Sequence, residues 1–153
     1  MELLKYSNPT YHMEISYPVK WEFIENHMGF VGAIISPLKD YTDTFRENVM
    51  IQVEDLSGIE ITLQEYSDLT VENMKHLISK FKLLKPMDFT TLAGHPGRRI
   101  IAKGIQGKLR LQWTCAWTLT NNLAYVLTFT AKREQHDEYI PYFNEMIQSF
   151  RIL

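Results

Sequence analysis

Lys108-Leu109-Arg110-Leu111-Gln112-Trp113-Thr114-Cys115-Ala116-Trp117-Thr118-Leu119-Thr120 is the stretch on which the fold turns. Leu109, Leu111, Trp113, Cys115, Trp117 and Leu119 fall on one side of an extended chain. Arg110, Gln112, Thr114, Ala116, Thr118 and Thr120 fall on the other. That period of two belongs to a strand, and its length predicts a central one. Asn121-Asn122 then turns the chain into Ala124 to Ala131, while Gln106-Gly107 joins the quoted strand to an earlier one starting at Arg98. Three long strands in succession with short turns predict an antiparallel meander.

Working outward, Tyr11 to Tyr17 alternates in the same way and ends at Pro18, and Trp21, Phe23 and Ile24 suggest a turn and a short strand. Phe30 to Ser36 is an apolar run closed by Pro37, Lys39 to Asn48 is a polar loop, and Val49 to Val53 is a further strand. At Thr62 the period changes. Thr62 and Glu65 have the spacing of a capping box, in which hydroxyl and carboxylate each satisfy an orphan backbone N–H. Leu63, Tyr66, Thr70, Met74, Leu77, Ile78 and Phe81 form one stripe of period near 3.6, so the reading carries this helix to Phe81. Phe89 to Leu92 is a short strand entering the turn Ala93-Gly94-His95-Pro96-Gly97. A last helix starts at His136 or Asp137, because Pro141 is tolerated only in a first turn. Its stripe is Ile140, Phe143, Met146, Ile147 and Phe150. Strands, a helix, more strands and a final helix predict an α+β protein, a three-layer α/β/α sandwich around a mainly antiparallel sheet.

The 153 residues, 45% hydrophobic and 22% charged, suit one domain spanning 1–153 with a core large enough to need no disulfide. No apolar run reaches membrane-spanning length, and no signal or transit segment is read after Met1, so the expectation is a cytoplasmic protein. The single cysteine, Cys115, fits a reducing compartment. Charge is distributed unevenly. Residues 1–72 hold four basic and thirteen acidic residues, whereas 73–133 hold eleven basic residues and one acid, Asp88. Such asymmetry either cancels when strands from the two halves interleave or leaves a basic surface for an acidic partner.

Motifs for hydrolases, zinc proteases, redox dithiols and phosphate loops are absent, so the sequence predicts no enzyme, no catalytic residue and no cofactor. Cys115 shares a face with Trp113 and Trp117, which reads as a buried thiol. His12 with Glu14, and Glu72 with His76, are pairs too small to define a metal site, and none is assigned. The turn from Gly94 to Arg99 could hold an anion with glycine amides, His95, Arg98 and Arg99, and it carries the alternative reading of a ligand-binding protein. The binding candidates are His95, Arg98, Arg99, Lys103, Lys108 and Arg110, with the cations expected to flank one strand connection.

Several segments together resemble a known family. They are Tyr17-Pro18-Val19-Lys20-Trp21 and Glu47-Asn48-Val49-Met50-Ile51-Gln52-Val53-Glu54, followed by Leu92-Ala93-Gly94-His95-Pro96-Gly97, Ala124-Tyr125-Val126-Leu127-Thr128-Phe129-Thr130-Ala131 and the closing Gln148-Ser149-Phe150. In that order they resemble the PsbP-like proteins and the related DcrB-like group. These are turns and core strands, so the resemblance speaks to fold before activity. It implies a sheet held between the two helices. It also implies a binding or accessory role, since members include an extrinsic photosystem subunit, a Ran-binding nuclear-import factor and chaperone-like partners of secreted effectors. The expectation is a non-catalytic module with a protein partner, acidic if the basic run forms a surface; nucleic acid is not expected.

Overall fold

A computed structural model describes residues 1–153. The chain runs β1 (Leu3–Asn8), β2 (Met13–Pro18), β3 (Glu22–Glu25), β4 (Gly32–Ile35), β5 (Asn48–Asp55), α1 (Leu63–Leu77), β6 (Ser79–Leu83), β7 (Asp88–Leu92), β8 (His95–Gln106), β9 (Leu109–Thr120), β10 (Leu123–Lys132), α2 (His136–Ser149) and β11 (Arg151–Ile152). A 3₁₀ turn over Arg133–Gln135 leads into α2. The main sheet has the order β3-β4-β5-β10-β9-β8-β6, with β7 also paired to β8, and every pairing is antiparallel. A small sheet, β1-β2-β11, lies apart from it.

The quoted strand is β9, and its period sorts two cores. Trp113, Cys115 and Trp117 pack with Tyr66 and Val71 of α1, while Ala116 joins Leu127, Phe129 and the α2 residues Tyr139, Phe143, Met146 and Phe150. The sheet therefore lies between a layer formed by α1 and a layer formed by α2 and the small sheet, the sandwich read from the sequence. Trp117 is wholly buried, and its indole N–H donates to Ser67 Oγ at 2.8 Å. Thr62 caps α1 as expected: its hydroxyl accepts from the Glu65 N–H at 3.0 Å and the Glu65 carboxylate accepts from the Thr62 N–H at 3.1 Å.

Three local expectations change. The first helix stops at Leu77, and Phe81 belongs to β6, which pairs with β8 through Lys82↔Lys103 and Leu83↔Ala102. Phe81 still packs against the α1-side core, so its place in the apolar stripe reflected burial in a strand. The Ala93–Gly97 turn contracts to Ala93-Gly94, both with positive φ (54° and 82°), so β8 begins at His95. That two-residue reversal between Leu92 and His95 matches the twist of the strands it joins. Finally, Pro141 lies at the sixth residue of α2, beyond its first turn.

Candidate functional site

Cross-strand register decides where the candidate residues go. Residues directly paired in antiparallel strands project to the same face, and neighbours along a strand project to opposite faces. Arg98 pairs with Trp117 and so lies on the α1 face; Arg99, Lys103 and Arg110 lie on the α2 face. Arg98 stacks over the exposed Phe89 ring, 4.1 Å from its centroid, and donates to its neighbour's Gly97 carbonyl at 3.0 Å. Arg99 is tied to α2, donating to Asn144 Oδ1 at 3.1 Å with its guanidinium carbon 5.9 Å from the Phe143 centroid. Burial lowers the Arg99 pKa from its ordinary value, and Asp88, its pair on β7, opposes that shift.

Arg98 and Arg99 project to opposite faces of β8, so the Gly94–Arg99 turn does not bring its candidates to one point, and His95, at the start of β8, is about 26 Å of extended chain from Lys103. The connection next to Lys108 is at the other end of β8, and Arg98 and Arg99 stand far from it. The expected cluster around one strand connection thus reduces to Lys103, Lys108 and Arg110.

Two further residues join them. Lys82 lies directly across from Lys103, which pairs in turn with Gln112 on β9. Arg133 reaches across β9 to within 3.5 Å of the Gly104 carbonyl oxygen on β8, and its buried Nε has no partner. Half-buried Ile101 and Ile105 alternate with Lys103 along β8. Lys82, Lys103, Lys108, Arg110 and Arg133 form no ion pair; the protein's salt bridges all lie elsewhere. The carboxylates of the first half do not interleave with them: Glu14 is with Lys5 at 3.7 Å, Glu54 accepts from the Tyr66 hydroxyl at 3.0 Å, and Asp55 accepts from the Ser57 N–H at 2.9 Å. Sequence reasoning missed Lys82, because it read that residue with Lys75 and Lys80 as the cationic end of the helix, whereas Lys82 lies in β6. The signal that finds it is a strand register, which a single segment does not display.

The remaining chemical candidates are separate. Cys115 is buried, and desolvation pushes its thiol up to about 12, so no thiolate is present at neutral pH. Glu72 and His76 stand 3.8 Å apart on α1 with no third ligand, and no group of three or more His, Cys, Asp or Glu is arranged to hold a metal. His136 is buried with Nε2 2.8 Å from Thr114 Oγ1, a packed polar contact under α2. No helix is long and apolar enough to cross a membrane.

Solved structures share this architecture at low sequence identity. The cyanobacterial PsbP of Synechocystis sp. PCC 6803 superposes with a TM-score of 0.72 at 15% identity, over 99% of this chain and 92% of that one. The Pseudomonas aeruginosa protein PA94, of unknown function, gives 0.66 at 15% identity over 97% and 96%. Mog1, solved as a point mutant, gives 0.65 at 12% identity over 99% and 96%. No family model matches the chain, and no curated protein matches it in sequence. The chain has the PsbP-like fold: a large antiparallel sheet and two helices, over nearly its whole length.

Proposed function

We propose that this protein is a non-catalytic binding module, and that the α2-side surface of β6, β8 and β9 docks an acidic protein partner. The observation that carries this reading is the pair Lys82↔Lys103: two lysines directly opposite across a strand ladder, with Arg110 close by on the next strand and no carboxylate paired to any of them. Like charges at directly opposed positions weaken a sheet, so the fold gains nothing from them. An anionic partner supplies the missing counter-charge. Isoleucines between the cations give the same surface apolar contact area, as protein interfaces have. The binding or accessory role implied by the family resemblance agrees, and the structural likeness to PsbP and Mog1 supports that reading at the level of fold. The ligand-turn alternative draws no comparable support, since Arg98 and Arg99 project to opposite faces.

The test is anisotropy titration with a labelled Asp/Glu-rich peptide at rising salt. Affinity should fall steadily, because screening at about 0.15 M acts over roughly 8 Å. Lys103→Glu with Arg110→Glu should lower the association rate about tenfold or more while the urea midpoint stays put or rises. Binding indifferent to both salt and charge reversal would sink the proposal.

A further inference from the structure

Residues 56–62, which join β5 to α1, cross the end of the sheet opposite the β8–β9 turn. The segment is held to the β9–β10 turn, where the Leu56 N–H donates to the Asn122 carbonyl at 2.8 Å, and it folds on itself where the Ile59 N–H donates to the Leu56 carbonyl at 3.0 Å. Leu56, Ile59 and Ile61 form the shared wall of two cavities. One, of about 230 Å³, reaches Tyr66 and Leu69 of α1, and the other, of about 170 Å³, reaches Leu119 of β9 and Leu123 of β10. Small-molecule pockets occupy about 300 to 1,000 Å³, so each of these has the size of a seat for one side chain. Ile59 and Leu69 are each 56% exposed, so the wall between the cavities and its helical side present carbon to solvent. Adjoining exposed apolar residues of this kind mark a contact surface.

The charges on this surface have one sign. Glu54 lines the first cavity, where its carboxylate accepts from the Tyr66 hydroxyl at 3.0 Å, and Glu60 lines a third hollow that again includes Ile59 and Ile61. Glu65 lines that hollow too, with its carboxylate turned to the Thr62 N–H. None of the three takes part in a salt bridge, and no Lys, Arg or His lines any of the three cavities. The stretches that build the surface supply no cation: Glu47 to Met74 and Leu111 to Ala131 contain no Lys, Arg or His. Arg98, whose pair Trp117 lies two residues before Leu119, reaches away from β9, over Phe89 on β7. Apolar seats walled by uncompensated carboxylates are complementary to apolar side chains set among lysines or arginines. We propose that residues 56–62 and the first turns of α1 dock a basic segment of a partner protein, seating two of its apolar side chains on either side of Ile59 and facing its cations with Glu54 and Glu60. The inference goes beyond the acidic-partner reading. It concerns a second surface of opposite sign, at the far end of β9 from Arg110, and stands or falls apart from the first.

Synthetic peptides of about 14 residues test it, since a few buried anchors carry most of the energy of an interface. One carries lysines around two leucines, a second has serines in place of the leucines, and a third has glutamines in place of the lysines. Binding to the full chain is read by anisotropy and by the methyl NMR signals of isoleucine and leucine. The first peptide should bind best, more weakly as salt rises, and should move the signals of Ile59, Ile61 and Leu69 while Ile15 and Ile34, in the core on the α2 side, stay still. Ile59→Ser should weaken that peptide about tenfold, the loss of one apolar contact. Glu54→Gln with Glu60→Gln, which leaves an acceptor for the Tyr66 hydroxyl, should weaken it by about the same factor and flatten its salt dependence. Equal binding by the serine peptide, or Ile59 and Leu69 signals that do not move, would refute the apolar seats. Equal binding by the glutamine peptide would refute the basic occupant. If the Ile59 and Leu69 signals shift on dilution of the protein alone, the surface belongs to a second copy of the chain and the proposal fails, as it does if none of the three peptides binds. In each of these cases the titration with the acidic peptide still decides the basic surface on its own.

Discussion

Ser67 shows how much a single small side chain holds in this protein. Its hydroxyl donates to the Leu63 carbonyl at 2.6 Å and accepts the Trp117 indole N–H at 2.8 Å, joining α1 to the centre of the sheet. Ser67→Ala strands that buried N–H, which should cost about 1–3 kcal/mol in urea unfolding. A loss near zero would mean that the indole finds another acceptor. The Trp117 burial was legible in the alternation of β9, but the Ser67 contact was not, because serine carries no apolar signal and its partner lies fifty residues away. His136 is the second residue of this kind. Burial lowers its pKa from 6.5, so the unfolded chain binds more protons over the window below that value, and stability falls as pH drops through it. Between about pH 7.5 and 5.5 the urea midpoint should decline, and His136→Gln should flatten that decline. An unchanged slope in the variant would assign the acid sensitivity to other groups.

Among the elements, α1 was the most legible and its end the least. The Thr62–Glu65 capping box is local chemistry, visible at fixed spacing, and both of its hydrogen bonds form. Thr62→Ala should lower stability by about 1 kcal/mol, measured by thermal or urea unfolding. The end at Leu77 has no glycine or proline to announce it; Ile78 simply turns extended (φ −111°, ψ 122°) because β8 offers a ladder to Ser79 and the residues after it. Phe81 suits a strand of period two as well as it extends the helical stripe, so local pattern could not choose between them. β6 is also an edge, and it is guarded: Lys80 takes a left-handed φ of 55°, and the register shifts between Ser79 and Lys82. Kinks and lysines of that sort discourage another chain from adding to the sheet. Lys103→Glu, which converts the opposed lysine pair into an attractive one, should raise stability by about 0.2–1 kcal/mol. A loss of stability would show that the two lysines stand further apart than their register implies.

For the whole molecule, the sequence displayed charge by halves, and only strand order converts halves into space. β3 and β5 hold Glu22, Glu25, Glu54 and Asp55 with no lysine or arginine, while β6, β8 and β9 hold Lys80, Lys82, Arg98, Arg99, Lys103 and Arg110 with no carboxylate. Because β3 and β6 are opposite margins of one sheet, the acids and bases are separated along its width. Apart from Asp88 on β7, the strand charges of the main sheet thus form a dipole across its width, although the net charge of the protein is only −2. Net charge alone would send it through a cation exchanger at neutral pH. A dipole presents its positive end to the resin instead, so at low ionic strength the protein should be retained by cation- and anion-exchange columns alike. Reversing Lys103 and Arg110 should abolish retention on the cation exchanger, and flow through that column by the unaltered protein would show that the separated charges cancel at its surface.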